Sequence, residues 1–207
     1  MKSDWLKENG LSLNDSVGID EVGRGPLAGP VVAAAVWISR EAVVELKNSG
    51  LVVQDSKKMT SNQRKKIVEW LTSQEARCSI ASATVEEIDG INILNATFRA
   101  MERAYDSLAK SLGFSPAALI DGDKAPPNIK SAQAIVKGDD KILSISLASI
   151  IAKEYRDDLM RELARKFPDY GWETNVGYGT AKHIATIRKI GLTPYHRKSF
   201  CKRIFER

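Results

Sequence analysis

The sequence predicts an α/β fold, a sheet flanked by helices and opened by a β-meander, on the strength of three observations. Apolar, β-branched runs of strand length crowd the first part of the chain; short apolar strands then alternate with stretches of helical period; and the chain beyond about residue 165 carries helical pattern alone. With 207 residues, a chain can bury roughly 70% of its unfolded surface. One domain over 1–207 is therefore expected, with a small helical C-terminal portion over about 165–207 and no need of a disulfide.

The elements follow in order. Residues 16–22 and 31–38 read as strands joined by a Gly/Pro turn, and 77–84 alternates enough to be a third. Thr60-Ser61-Asn62-Gln63 is a capping box that opens a helix with Ile67, Val68 and Leu71 on one face. Residues 92–112 repeat Leu94, Phe98, Met101, Tyr105, Leu108 and Leu112 at helical spacing. Strands return at 118–120 and 134–136. A long helix over about 144–167 then carries the ladder Leu147, Ile151, Tyr155, Leu159 and Leu163. A further helix over 180–190 places Ile184, Ile187 and Ile190 before Gly191, a left-handed stop. Pro126-Pro127 and 171–179 are the loops, too short for a domain linker.

Lysine and arginine outnumber the acids by 31 to 26, a net charge of +5. Lys57-Lys58, Arg64-Lys65-Lys66, Lys182, Arg188-Lys189 and Arg197-Lys198 form local basic groups, compatible with nucleic acid, although solvated helix faces account for part of them. Met1–Trp5 holds no apolar signal core, and no apolar run reaches the roughly 18 residues that span a bilayer. A soluble cytoplasmic protein is expected. Cys78 and Cys201 lack any CxxC partner and read as reduced thiols; with His183 and His196 the only histidines, a zinc site is disfavoured.

Three apolar strands run into carboxylates: Gly18-Ile19-Asp20-Glu21, Leu119-Ile120-Asp121-Gly122-Asp123 and Ile135-Val136-Lys137-Gly138-Asp139-Asp140. Ligands of open α/β sheets gather outside strand ends, where distant acids can meet. Two carboxylates about 4 Å apart repel by roughly 4 kcal/mol at an effective dielectric of 20, a cost that a hard divalent cation removes. Taken singly, Asp121-Gly122 and Gly138-Asp139 read more readily as turns. Asp20 and Glu21 resist that reading, because Asp is disfavoured in strands. Strand neighbours face opposite ways, so both acids serve one site only at a strand end or an irregularity such as Gly23 offers. Gly23 and Gly25 let backbone N–H groups approach a ligand, and Arg24 between them is a phosphate fork. Gly23-Arg24-Gly25-Pro26-Leu27-Ala28 also matches GxGxxA, but Pro26 and Pro30 bracket a turn into a strand, whereas a dinucleotide site needs a helix there.

These residues stand within a longer series: Asp20–Val31, Asp55-Ser56-Lys57-Lys58, Glu87-Ile88-Asp89 with Asn92-Ile93, Ile120-Asp121-Gly122, Lys137-Gly138-Asp139, Ala148–Lys153, Gly177-Tyr178-Gly179-Thr180 and His196–Phe200. In this order the blocks resemble the ribonuclease HII family over nearly all of 18–200. Ribonuclease HIII is similar in its core but carries a long N-terminal substrate-binding domain and lacks the Gly-Arg-Gly turn.

The resemblance implies a ribonuclease H-like fold with a mixed central sheet flanked by helices. It implies endonucleolytic cleavage of the RNA strand of RNA–DNA hybrids and of single ribonucleotides in duplex DNA. By motif, Asp20, Glu21, Asp121 and Asp139 become the catalytic and metal-binding acids for two Mg²⁺ or Mn²⁺ ions, about 3.5 to 4 Å apart in such sites. Cleavage on the 5′ side of the ribonucleotide would leave a 3′-hydroxyl and a 5′-phosphate. Gly23, Arg24, Gly25 and Tyr178 align with residues that sense the ribonucleotide 2′-hydroxyl and the junction to DNA, and Lys57 with a phosphate contact. Val176 replaces the usual lysine before Gly-Tyr, and Leu147 a small residue. Asp139 completes the Lys-Gly-Asp pattern in preference to Asp140, and Asp123 is a loop acid. His183 and His196 receive no catalytic role; Trp70 and Trp172 read as packing residues. A monomer is expected. A sliding-clamp contact is a further possible partner, although residues 200–205 hold no complete clamp motif. The alternative is a nucleic-acid-binding module that keeps the fold without catalysis.

Overall fold

A computed structural model describes Leu6 and residues 10–206; Met1–Trp5 lies outside them. Five strands form one sheet in the order β3-β2-β1-β4-β5. They are β1 (Ser16–Val22), β2 (Val31–Ile38), β3 (Ala76–Ala83), β4 (Ala117–Asp121) and β5 (Ala132–Ile135). The first three pair antiparallel and form the expected meander, whereas β4 lies parallel to β1 and β5 parallel to β4. The sheet is therefore mixed, and each face is closed by one long helix.

On one face α3 (Val85–Leu112) packs Ala96, Ala100, Met101, Ala104 and Leu108 against Val17, Ile19, Ala33, Ala35 and Ile120. On the other, α5 (Leu143–Lys166) lays Leu147, Ile150 and Ile151 on Val32, Ala34 and Val36. The period-2 alternation of β2 thus feeds two cores at once, and its run of alanines lets both helices approach closely. Gly18 has the same use: a β-carbon there would stand 2.2 Å from the Ile145 backbone nitrogen. The start of α5 presses directly on β1.

Four departures from the sequence reading have physical causes. The helix expected from Asn92 does start there, with Asn92 at φ 66° breaking the chain and its Oδ1 accepting from the Asn95 N–H at 3.1 Å, but a shorter helical stretch that was not expected precedes it from Val85, opened by the reciprocal capping box of Thr84 and Glu87. A helix over Arg40–Asn48 (α1) was not expected, yet Ser39 caps it and Ala42, Val43 and Leu46 are its buried face. Tyr155 and Ile190 were counted on apolar ladders, but they are 46% and 50% exposed at the edges of their helices. The 171–179 loop contains a helical turn, α6 (Trp172–Asn175), preceded by a 3₁₀ turn at Pro168–Tyr170.

The remaining helices are α2 (Ser61–Thr72), α4 (Gly138–Lys141), α7 (Ala181–Ile190) and α8 (Lys198–Phe205). From α6 onward they enclose a separate small core of Trp172, Tyr170, Ile187 and Cys201, closed on Ala28 and Met160. Among the described residues no helix is long and apolar enough to cross a membrane.

Candidate active site

The acids lie at the carboxyl ends of the parallel strands. Ile19 pairs with Ile120 in the last register position of β1 and β4. One residue further, Asp20 and Asp121 follow on the face that α5 covers. Asp121 is held by the next loop: the backbone N–H of Gly138 donates to its Oδ1 at 2.7 Å, and that of Asp139 to the same atom at 3.4 Å. The third acidic segment is folded into the first turn of α4, with Lys137 at φ 56° bending the chain into it. Asp139 is partly buried there and lines the cavity, whereas Asp140 is exposed.

That cavity, about 340 Å³, is lined by Asp20, Glu21, Asp121 and Asp139, and by Lys57, Lys153 and Tyr178. Glu21 also borders a second hollow of about 190 Å³ on the α3 side, with Arg24 and Asp123. This is the consequence of strand alternation: Asp20 and Glu21 face opposite ways and both reach solvent only because β1 ends at Val22.

Burial pushes the Asp20 carboxyl well above the ordinary carboxylate range, and Glu21 and Asp121 add to the rise; Ser149 and the Glu21 N–H, at 2.7 Å, oppose it. Burial likewise raises Glu21, with Arg24 at 3.5 Å pulling the other way. Asp121 is raised by burial and by Asp139, and lowered by the two amides and Lys57. The site is thus short of positive charge. All-oxygen, carboxylate-rich donors suit Mg²⁺ or Mn²⁺, and a cation among them would relieve both costs. Among the described residues no three such side chains are already close enough to hold an ion. To hold an ion there, the carboxylates of Asp20, Glu21, Asp121 and Asp139 would have to rotate toward it.

The segment between α1 and α2 brings Lys57 to the rim. Arg64, buried in α2, donates to the Ser56 and Met59 carbonyls at 3.3 and 2.8 Å and pairs with Glu154 and Asp157 of α5 at 2.9 and 3.0 Å. Ser56 Oγ meets Ser149 Oγ at 2.9 Å, and Asp157 holds Lys153 at 2.7 Å. Successive turns of α5 therefore support the acids and the lysines together.

Opposite them stands the Gly23–Gly25 turn. Gly23, at φ 91°, has no room for a side chain, since a β-carbon would sit 2.2 Å from Arg156 Nε. The Leu27 N–H donates to the Gly177 carbonyl at 2.8 Å, which stitches this turn to the Tyr178 segment. A β-carbon on Gly25 would be 3.5 Å from Tyr178 Cε1. Val176, which stands where the family resemblance has a lysine, packs against the C-terminal core.

His183 and His196 are buried and locked together. Trp172 Nε1–H donates to His183 Nε2 at 3.1 Å, so His183 Nδ1–H donates to the Tyr178 carbonyl at 2.8 Å. The Thr193 N–H donates to His196 Nδ1 at 2.9 Å, which leaves His196 Nε2–H to donate to His183 Nε2 at 3.0 Å. Burial lowers both, His196 to about 4 with His183 contributing. These hydrogen bonds stay within the C-terminal portion, and Trp172 is packed in its core.

Sequence reasoning did not single out Ser56, Ser149, Lys153 or Arg156, and it read Arg197 as a basic residue for phosphate, whereas its guanidinium is fully buried on backbone carbonyls. All stand in or beside the motif blocks, but a serine or arginine in such a block carries no sign of burial.

A mixed sheet of this order, with acids at its parallel strand ends and helices on both faces, is the architecture of the type 2 ribonucleases H. A ribonuclease H2 from Pyrococcus horikoshii superposes with a TM-score of 0.73 at 27% identity, over 92% of this chain and 97% of that one. The structure of a PCNA:RNase HII complex from Archaeoglobus fulgidus contributes a chain with a TM-score of 0.71 at 25% identity, over 93% and 97%. The family model Ribonuclease HII matches residues 17–205, and a ribonuclease HII of Chlamydia caviae is 50% identical over 88% of this chain and 82% of its own. The chain belongs to the ribonuclease HII family.

Proposed function

We propose that this chain is a metal-dependent endonuclease that hydrolyses the RNA strand of RNA–DNA hybrids and nicks duplex DNA on the 5′ side of single ribonucleotides, leaving 3′-hydroxyl and 5′-phosphate ends. The observation that carries the reading is the meeting of Asp20, Glu21, Asp121 and Asp139, from three distant segments, on one cavity rimmed by Lys57 and Tyr178. The four acids would hold Mg²⁺ or Mn²⁺, which when bound activates water and stabilises the leaving oxygen. Lys57 and Arg24 meet phosphates of the cleaved strand. Tyr178 packs on the sugar, and the glycines of the 23–25 turn present backbone groups to the 2′-hydroxyl, which deoxyribose lacks. His183 holds the Tyr178 backbone and takes no proton from substrate.

The whole chain, 1–207, acts as one catalytic domain and works as a monomer in the cytoplasm. The Archaeoglobus relative's complex with PCNA supports a sliding-clamp protein as a further partner.

The test is a labelled duplex holding one ribonucleotide, incubated with and without chelator, with both product ends mapped. Metal-dependent nicking at the 5′ side of the ribonucleotide is expected. Salt-sensitive binding without products would instead identify a binding module of the same fold.

A further inference from the structure

Arg156 and Arg197 are fully buried, and neither guanidinium is hydrogen-bonded to a carboxylate. Their donors go to backbone carbonyls of the turn and its neighbours. Arg156, from α5, gives Nε to Pro30, Nη2 to Ala28 and Nη1 to Val176 at 3.1, 3.0 and 3.0 Å. Arg197, just before α8, gives Nη2 to Gly23 at 2.6 Å, Nη1 to Arg24 at 2.9 Å, and Nε and Nη2 to Gly29 at 2.9 and 2.8 Å. Burial lowers their pKa to about 10 and about 9, which still leaves both charged at neutral pH. Two desolvated cations are a costly way to fill a core.

The geometry at Arg197 gives the reason. In a trans peptide the C=O of one residue and the N–H of the next point opposite ways, and the described chain has no cis bond. Drawing the Gly23 and Arg24 carbonyls inward therefore turns the Arg24 and Gly25 N–H groups outward, side by side. Pro26 ends the series, since it has no N–H. Successive N–H groups so aligned form a concavity for an oxygen-bearing ligand. A guanidinium on each carbonyl also polarises the peptide and strengthens the donor at its other end. The turn and the Tyr178 ring are neighbours, since a β-carbon on Gly25 would stand 3.5 Å from Tyr178 Cε1.

We propose that Arg197 is a positioning residue for ribonucleotide recognition: it fixes and polarises the Arg24 and Gly25 N–H pair that receives the sugar oxygen, and Arg156 ties this pair to the Tyr178 segment. The inference rests on the ribonuclease reading above and goes beyond it, because it places a specificity function in a side chain that touches no substrate.

The test compares the full chain with Arg197→Lys, which keeps the charge but cannot grip two successive carbonyls. Single-turnover cleavage of a duplex holding one ribonucleotide is measured with divalent cation, and the Kd for that duplex without it. The expected result is a fall of about 10- to 100-fold in cleavage rate, smaller than the roughly 100- to 1000-fold of deleting an aligned donor because these donors are loosened and not removed, with Kd within about threefold. Equal rates in the two proteins, or a Kd that rises as much as the rate falls, overturn the inference. A wild-type chain that does not cleave overturns the ribonuclease reading itself. If Arg197→Lys does not fold, the wild-type backbone amides decide: the Arg24 and Gly25 signals shift on adding the ribonucleotide duplex and not its all-DNA counterpart, and identical shifts overturn the inference.

Discussion

The Gly138 N–H donates to Asp121 Oδ1 at 2.7 Å, so the end of β4 and the turn carrying Asp139 are one unit before any cation arrives. Asparagine at position 121 can still accept that bond through its amide oxygen, but it offers no charge. Asp121→Asn and Asp20→Asn should each reduce nicking at a single ribonucleotide by at least about 100-fold while duplex binding survives. Near-normal turnover in either removes the acidic cluster from the mechanism.

The same variants report on stability. Asp20, Glu21 and Asp121 have folded pKa values above the unfolded one. The unfolded chain therefore gives up these protons first, and stability falls as pH rises through the unfolded value toward the raised folded one. The penalty is complete above the folded pKa. Asp20→Asn should consequently melt higher than the metal-free parent at neutral pH, by about 2 to 4 °C for each kcal/mol relieved in a chain of this size. Mg²⁺ should raise the parent's midpoint more than the variant's. A lower midpoint for Asp20→Asn would contradict the repulsion.

The two histidines predict the opposite slope. His196 is held neutral with its pKa near 4 against 6.5 when exposed. A folded value below the unfolded one means that the unfolded chain binds the proton first as pH falls. The contribution is present above about 6.5 and lost between there and about 4, on the order of 3 kcal/mol in all. Melting midpoints of His196→Asn, measured from pH 7 to 5, should fall less steeply than those of the parent. Parallel curves would place the titration elsewhere.

Gly18 offers a sharper test of packing. Its missing side chain lets the Ile145 backbone lie where a β-carbon would be, and backbone cannot rotate aside. Gly18→Ala must push α5 off β1, at a cost of about 3 kcal/mol or more, read by denaturant unfolding. Because Ser149 of α5 hydrogen-bonds Asp20, cleavage should fall as well.

The residues that sequence made legible are those whose type conflicts with their local structure. Asp20 and Glu21 at the end of an apolar strand and glycines around an arginine needed an explanation that no turn supplied, whereas Asp121 and Asp139 gained weight only from the recurrence of the pattern; all four line one cavity. The sheet was legible because β2 alternates between two cores. The roles of Arg156 and Arg197 were not, since an arginine on a helix or in a basic segment reads as solvated or phosphate-bound until its partners are known to be carbonyls from residues 23–30 and 176. Tyr155 misled for a related reason: α5 is buried on most of its circumference, so a single stripe of spacing did not identify the side left open.

Tyr178 separates presentation from contact. Its carbonyl is fixed by His183 at 2.8 Å, yet its side chain is 47% exposed and stands beside Gly25. Truncating an exposed ring held by its backbone should leave the melting midpoint within about 2 °C, since surface changes of this kind are worth less than about 0.5 kcal/mol. Cleavage at an isolated ribonucleotide should nevertheless fall about 10-fold or more in Tyr178→Ala, through loss of the surface on which the sugar is oriented. Tyr178→Phe keeps that surface and loses only the hydroxyl, so a rate between those of the parent and Tyr178→Ala would divide the effect between ring packing and phosphate contact. If Tyr178→Ala cleaves as fast as the parent, the side chain is a surface tyrosine, and discrimination rests on the 23–25 turn alone.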